Sequence, residues 1–159
     1  MATTRYVLTP EAAHYPATNF AALSAINQRP VLLFDATTGE TAYWTIVAPQ
    51  GLTGALSAKI HYICTATTTS GTAAWDVAVE AITDADATDL DAGTSFDTVN
   101  GGTGTVPGTT GYIDVISVTL TNDDSIAAAD YVRISVARDV AADSAADDLA
   151  LLLVEIQEA

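Results

Sequence analysis

The chain reads as an all-β protein, an antiparallel β-sandwich with jelly-roll connections, and three observations predict it. Apolar and polar residues alternate in run after run. Clusters of Gly, Ser, Thr and Asn separate those runs at sandwich-like intervals. The 49% of hydrophobic residues includes only 7% aromatics, so the core must be built from small and β-branched side chains, which suit tightly packed sheets. A length of 159 residues fits one core, large enough to bury roughly two-thirds of the surface the unfolded chain exposes.

Taken in order, residues 1–28 differ from the rest. Arg5-Tyr6-Val7-Leu8 has the texture of a short strand, Pro10 and Pro16 interrupt, and Phe20 and Leu23 are the main apolar anchors. This segment is expected to be an extended N-terminal arm, lying across its own domain or onto a neighbouring subunit, before a sandwich domain at 29–159. Val31-Leu32-Leu33-Phe34 and Tyr43-Trp44-Thr45-Ile46-Val47 are strand-like runs around a Thr- and Gly-bearing turn, Asp35 to Glu40.

From Leu56 to Thr65, Leu56, Ala58, Ile60, Tyr62 and Cys64 share one face against Ser57, Lys59 and His61. Trp75, Val77, Val79 and Ala81 repeat the device against Asp76 and Glu80; Ile116, Val118 and Leu120 do so against Ser117 and Thr119; Val132, Ile134 and Val136 do so against Arg133 and Ser135. The last run, Leu149 to Ile156, is read as a strand with Leu152, Val154 and Ile156 alternating, preceded by residues buried on both sides. Turns are expected at Gly51 to Gly54, Thr67 to Gly71, Asn100 to Gly104 and Pro107-Gly108. The total is about eight strands, and the long connection from Thr83 to Gly111 favours a jelly roll over a meander. With Lys59 as the sole lysine to guard an edge, the sheet edges are expected to be covered by the arm or by another subunit.

Charge narrows the partners. Asp and Glu number 20 against 5 Lys and Arg, a net −15 that repels nucleic acid and anionic lipid. No basic, apolar leader opens the sequence, and no run approaches the ~18 apolar residues of a membrane helix. These features point to a soluble protein made in the cytoplasm. Cys64, the one cysteine, has no partner for an intrachain disulfide and reads as a small buried hydrophobe.

Candidate sites are sparse. Asp84, Asp86, Asp89, Asp91 and Asp97 crowd one loop, and oxygen-rich loops suit calcium, a hard cation that takes six to eight oxygen ligands. The spacing lacks the glycine and terminal Glu of an EF-hand, and a solvated acidic turn is the plainer reading. The group Asp139, Asp143, Asp147 and Asp148 reads as a polar turn. His14 and His61 have no second ligand at metal-binding spacing. No serine elbow or cysteine–histidine setting is present. Asp76 and Glu80 share a strand face as a glycosidase pair might, yet a wet sheet face explains them. No catalytic residue is therefore assigned. Tyr43, Trp44, Tyr62 and Trp75 raise the question of stacking against sugars, with Trp75 assigned to the core because it leads an inward-facing set.

Four stretches carry a resemblance: Arg29-Pro30-Val31-Leu32-Leu33-Phe34-Asp35-Ala36-Thr37-Thr38; Tyr43-Trp44-Thr45 with Ala48-Pro49-Gln50-Gly51; Trp75-Asp76-Val77-Ala78-Val79-Glu80-Ala81-Ile82; and Asp89-Leu90-Asp91-Ala92-Gly93-Thr94-Ser95-Phe96-Asp97. From Arg29 onward the chain resembles small structural proteins of tailed bacteriophages, jelly-roll modules found among virion genes. The resemblance implies a virion accessory protein, first of all a capsid decoration protein. It would be a homo-oligomer, with a trimer the first choice, contacting major capsid or tail proteins through Tyr6, Phe20 and Leu23 and needing no cofactor. Two other functions stay open: a receptor- or glycan-binding module on a head or tail fibre, and a self-assembling filament or surface-layer subunit.

Overall fold

The computed structural model describes residues 2–65 and 70–159. Ten strands run through them: β1 (Thr3–Leu8), β2 (Ala22–Ile26), β3 (Arg29–Phe34), β4 (Thr41–Val47), β5 (Leu56–Cys64), β6 (Thr72–Ile82), β7 (Asn100–Thr105), β8 (Ile113–Thr119), β9 (Tyr131–Arg138) and β10 (Leu149–Glu158). The first sheet has the order β2-β3-β10-β5-β8, with β1 beside the second half of β10. The second has the order β4-β9-β6-β7. Every strand pairing is antiparallel, and the two sheets make the jelly-roll sandwich that the alternation predicts.

Period-two burial sets the layers. In β5, Leu56, Ala58, Ile60, Tyr62 and Cys64 enter the core, and Trp75, Val77 and Val79 of β6 face them from the other sheet. Phe34 meets Trp75 edge-on, ring centroids 4.9 Å apart at 82°, the arrangement in which the positive edge of one ring meets the negative face of the other. Trp44 is also buried, and its indole N–H donates to the carbonyl of Thr9 at 2.8 Å. Burial first, and then the Asp114 carboxylate that accepts its hydrogen bond at 2.7 Å, push the pKa of the Tyr62 hydroxyl above its ordinary value.

One end of the sandwich is knotted by a charge. Arg138 is wholly buried; its guanidinium forks onto both carboxylate oxygens of Asp143 (2.8 and 3.0 Å) and donates to the carbonyls of Phe34, Ala145 and Asp147. A fully partnered fork of this kind holds three chain segments at once. The sequence placed Asp143 and Asp147 in a polar turn; the structure shows what that turn is wrapped around.

Several expectations change. Within residues 2–28, β1 pairs with β10 and β2 with β3, a 3-10 turn at Pro10–Ala12 lies between them, and the boundary drawn at Arg29 falls at the β2–β3 turn. Between those strands the chain covers the edge of β4, through a two-bond bridge of His14 with Tyr43 and a contact of Phe20 with Thr41. Asn100 to Gly104, read as a turn, is strand β7. Its glycines let it close onto β8: a Cβ on Gly102 would stand 2.7 Å from Val118 Cγ2 and 3.0 Å from Ile116 Cγ2. The alternation expected of Leu152, Val154 and Ile156 is broken by a bulge between Leu151 and Leu153, which puts Leu151 and Val154 in the main core and turns Leu152 to the outer face. In the turn expected at Thr67 to Gly71, Thr67 to Thr69 lie outside the described residues.

Candidate functional site

The outer face of the second sheet carries the side chains that alternate away from the core. Tyr43 and Thr45 come from β4, Tyr131 and Arg133 from β9, and Glu80 from β6. Thr45 and Arg133 are register partners, as are Glu80 and Arg133, so one strand's arginine lies between the other two strands. Arg133 Nη1 donates to Glu80 Oε2 at 3.0 Å, and Glu80 is completely buried.

Glu80 is buried because the acidic loop folds over it. Ser95 donates to Glu80 Oε1 from its backbone N–H at 2.6 Å and from its hydroxyl at 3.2 Å, and Asp97 N–H donates to the carbonyl of Val79 at 2.9 Å. That anchorage lays Phe96 over Tyr43, rings nearly parallel at 19° with centroids 5.6 Å apart. The Arg133 guanidinium stands 5.3 Å from the Tyr43 ring centroid and 5.0 Å from that of Phe96, where each ring's negative face attracts a cation.

The result is an open cleft of about 640 Å³. Its floor is Tyr43, Thr45, Tyr131 and Arg133; its walls are His14, Tyr15 and Pro16 from the N-terminal segment and Thr94 from the loop. Tyr15 and Tyr131 are exposed, and partial burial pushes the Tyr15 hydroxyl above its ordinary value of 10.0, so it remains a neutral donor and acceptor near pH 7. One N–H of the Arg133 fork is engaged by Glu80, and others remain to meet a ligand. Flat apolar faces beside a few fixed polar groups are what an uncharged, hydroxyl-rich molecule with C–H faces needs. Glu80 is committed to its ion pair and to Ser95, an arrangement that braces the floor and places no acid in the cleft.

The residues singled out from sequence are distributed differently. Among the described residues no group of three or more His, Cys, Asp or Glu side chains is gathered to hold a metal. The five aspartates considered for calcium are not brought together, because the loop uses them for its own backbone: Asp86 accepts from Ala87 N–H, Asp89 from Asp91 N–H, and Asp97 from the N–H groups of Thr98 and Asp124, while Asp84 and Asp91 are exposed. Trp44 and Trp75 are core residues, whereas Tyr43 is part of the cleft. Of the expected anchors, Tyr6 donates its hydroxyl to the Val47 carbonyl, Phe20 lies 5.8 Å from Tyr15, and Phe20 and Leu23 are about half exposed. Arg133, Tyr131 and Tyr15 were not singled out; the signal available was an arginine and a tyrosine at alternate positions of one strand, which also describes any wet sheet face.

No protein-family model and no curated protein matches the sequence. Solved structures do match. "CBM35 from Cellvibrio japonicus Abf62" aligns over 98% of this chain and 92% of its own, with a TM-score of 0.53 at 7% identity. The "CBM22-2 xylan-binding domain from Paenibacillus barcinonensis Xyn10C" aligns over 97% of this chain and 99% of its own, with a TM-score of 0.54 at 8% identity. The likeness spans whole domains and is one of fold.

Proposed function

We propose that this protein is a non-catalytic glycan-binding module that takes a sugar chain in the cleft across the outer face of its second sheet. The observation that carries this reading is the assembly of Tyr43, Tyr131, Tyr15 and Arg133 from three separated segments around one open cleft. Aromatic faces there would pack against the C–H faces of pyranose rings, and Arg133, Thr45 and His14 would meet hydroxyls. Support comes also from the fold, which a xylan-binding domain shares. A net charge of −15 favours a neutral glycan over a polyanionic one. The resemblance to phage structural proteins supports placing the module on a virion, as the receptor-binding part of a head or tail fibre. Capsid decoration is the second reading, supported by Ile113 and Val115, exposed apolar residues on the outer face of the first sheet.

A glycan array on the intact protein, with and without chelator, tests the function. Binding to neutral glycans that survives chelation and is lost in Tyr43→Ala is the expected result. A blank array, or binding that Tyr43→Ala and Tyr131→Ala leave untouched, contradicts it. Antibody labelling of purified particles tests the location: label at a vertex or tail supports a fibre, a regular lattice over the shell supports decoration.

A further inference from the structure

The outer face of the first sheet carries apolar residues of its own. Val31, Ile63 and Ala150 form a second small apolar cluster there, on the side away from the main core, themselves buried beneath the partly exposed Ile26, Leu33 and Leu152. A groove of about 330 Å³ runs across the cluster from Asn27 at the β2–β3 turn to Gly111 and Ile113 at the start of β8. Ile113 and Val115, the outward residues of β8, are 62% and 42% exposed. Ala150 and Leu152 bring β10 onto this face, and the bulge between Leu151 and Leu153 then returns Val154 and Ile156 to the main core.

Its charge is as unusual as its apolarity. Three of the five Lys and Arg side chains are paired, Arg5 with Glu158, Arg133 with Glu80 and Arg138 with Asp143. The other two, Arg29 and Lys59, lie on the outer face of the first sheet, with Glu155, the register partner of Lys59, beside them. That face therefore has no excess of negative charge on a molecule whose net charge is −15.

We propose that this face docks a second copy of the chain, outer sheet against outer sheet about a twofold axis. Two such molecules repel through their acidic surfaces, and on this face contact covers the exposed Ile113 and Val115 where Arg29 and Lys59 offset the carboxylate of Glu155. Glu155 is held within its own chain by Gln157 Nε2 at 3.0 Å and lies 3.5 Å from His61 Nε2. Five strands at a spacing of ~4.8 Å, of five to ten residues and about seven on average, rising ~3.3 Å each, give a face of roughly 19 by 24 Å, about 460 Å² per copy. A standard stable interface takes ~800 Å² per partner, so the association is of the weak, concentration-dependent class. Because the approach is opposed by long-range repulsion, salt strengthens it, the reverse of an association held by ion pairs.

Sedimentation of the 159-residue chain over a concentration series, at about 20 mM and about 500 mM NaCl, tests the proposal. The expected result is a monomer–dimer equilibrium, tighter at high salt, weakened about tenfold or more by Ile113→Glu and by Val115→Glu and unchanged by Val47→Glu, an exposed residue of the other sheet. Near-ultraviolet circular dichroism confirms that each variant is folded, and two exposed target positions guard against the failure of one. A protein that stays monomeric at every concentration and salt, an oligomer indifferent to both Glu variants, or one abolished by Val47→Glu overturns the proposal. So does wild-type protein that stays monomeric but is captured by purified capsid protein through Ile113, because the occupant is then not a second copy.

Discussion

Replacing Arg133 with Ala removes the piece that joins the floor of the cleft to its loop. Arg133 is the charged partner of Glu80, whose side chain is 1% exposed while that of Arg133 is 23% exposed. Breaking a fully buried ion pair by deleting one partner costs about 3–5 kcal/mol, because the other charge is left uncompensated. The partial exposure of Arg133 and the two hydrogen bonds that Glu80 keeps from Ser95 reduce that to about 2 kcal/mol. Loss of the cation from the faces of Tyr43 and Phe96 adds roughly 0.5–1 kcal/mol. The total of about 3 kcal/mol corresponds to a fall in Tm of about 6–12 °C for a chain of this size. Urea denaturation of wild type, Arg133→Ala, Glu80→Gln and the double variant reads it directly. The double variant should be more stable than the sum of the single losses implies, by about 1 kcal/mol or more. A loss below about 0.5 kcal/mol, or strictly additive losses, would refute the claim that this pair braces the site.

Other perturbations separate the cleft from the scaffold. Arg138→Met strands the buried Asp143 carboxylate and should cost about 3–5 kcal/mol, read as a shift of the urea midpoint; a loss under about 1 kcal/mol would mean that the knot contributes little. Gly102→Ala drives a methyl into Val118 and Ile116 where β7 meets β8 and should cost about 1–3 kcal/mol; thermal unfolding equal to wild type would show that β7 yields freely. Glu158 is held down to about 2, from an ordinary 4.5, first by the Thr53 N–H and then by the Gly54 N–H and Arg5. Its folded-state value is depressed, so its stabilising contribution is complete above pH 4.5 and drains away as pH falls towards 2. Glu158→Gln should flatten the acid limb of the stability curve over that window, and an unchanged limb would argue against the contribution.

Much of the scaffold is legible in the chain because burial follows a period of two. Trp75-Asp76-Val77-Ala78-Val79-Glu80 states its own two faces, and so do Leu56 to Cys64 and Tyr131 to Arg138. Where a strand lacks side chains the signal fails: β7 has glycine at three of its six positions, and what makes it a strand is close approach to β8, which is not a local property. The bulge at Leu152 is equally silent, since Leu149 to Val154 is apolar throughout and either phase fits. The cleft is harder still. Tyr43, Phe96 and Arg133 are far apart in sequence, and each reads alone as an ordinary surface residue. Their convergence depends on Ser95 finding Glu80 across the sheet. The aspartates of that loop drew attention through their number, whereas the ring among them, Phe96, is the residue that shapes the site.

The most direct test of the account is titration calorimetry of the protein with the best neutral oligosaccharide from the array, repeated with Tyr43→Ala and with Ile113→Glu. The account predicts saturable binding in wild type, an affinity loss of about tenfold or more in Tyr43→Ala, and no change in Ile113→Glu, which lies on the other sheet away from the cleft. Equal affinity of wild type and Tyr43→Ala would contradict it.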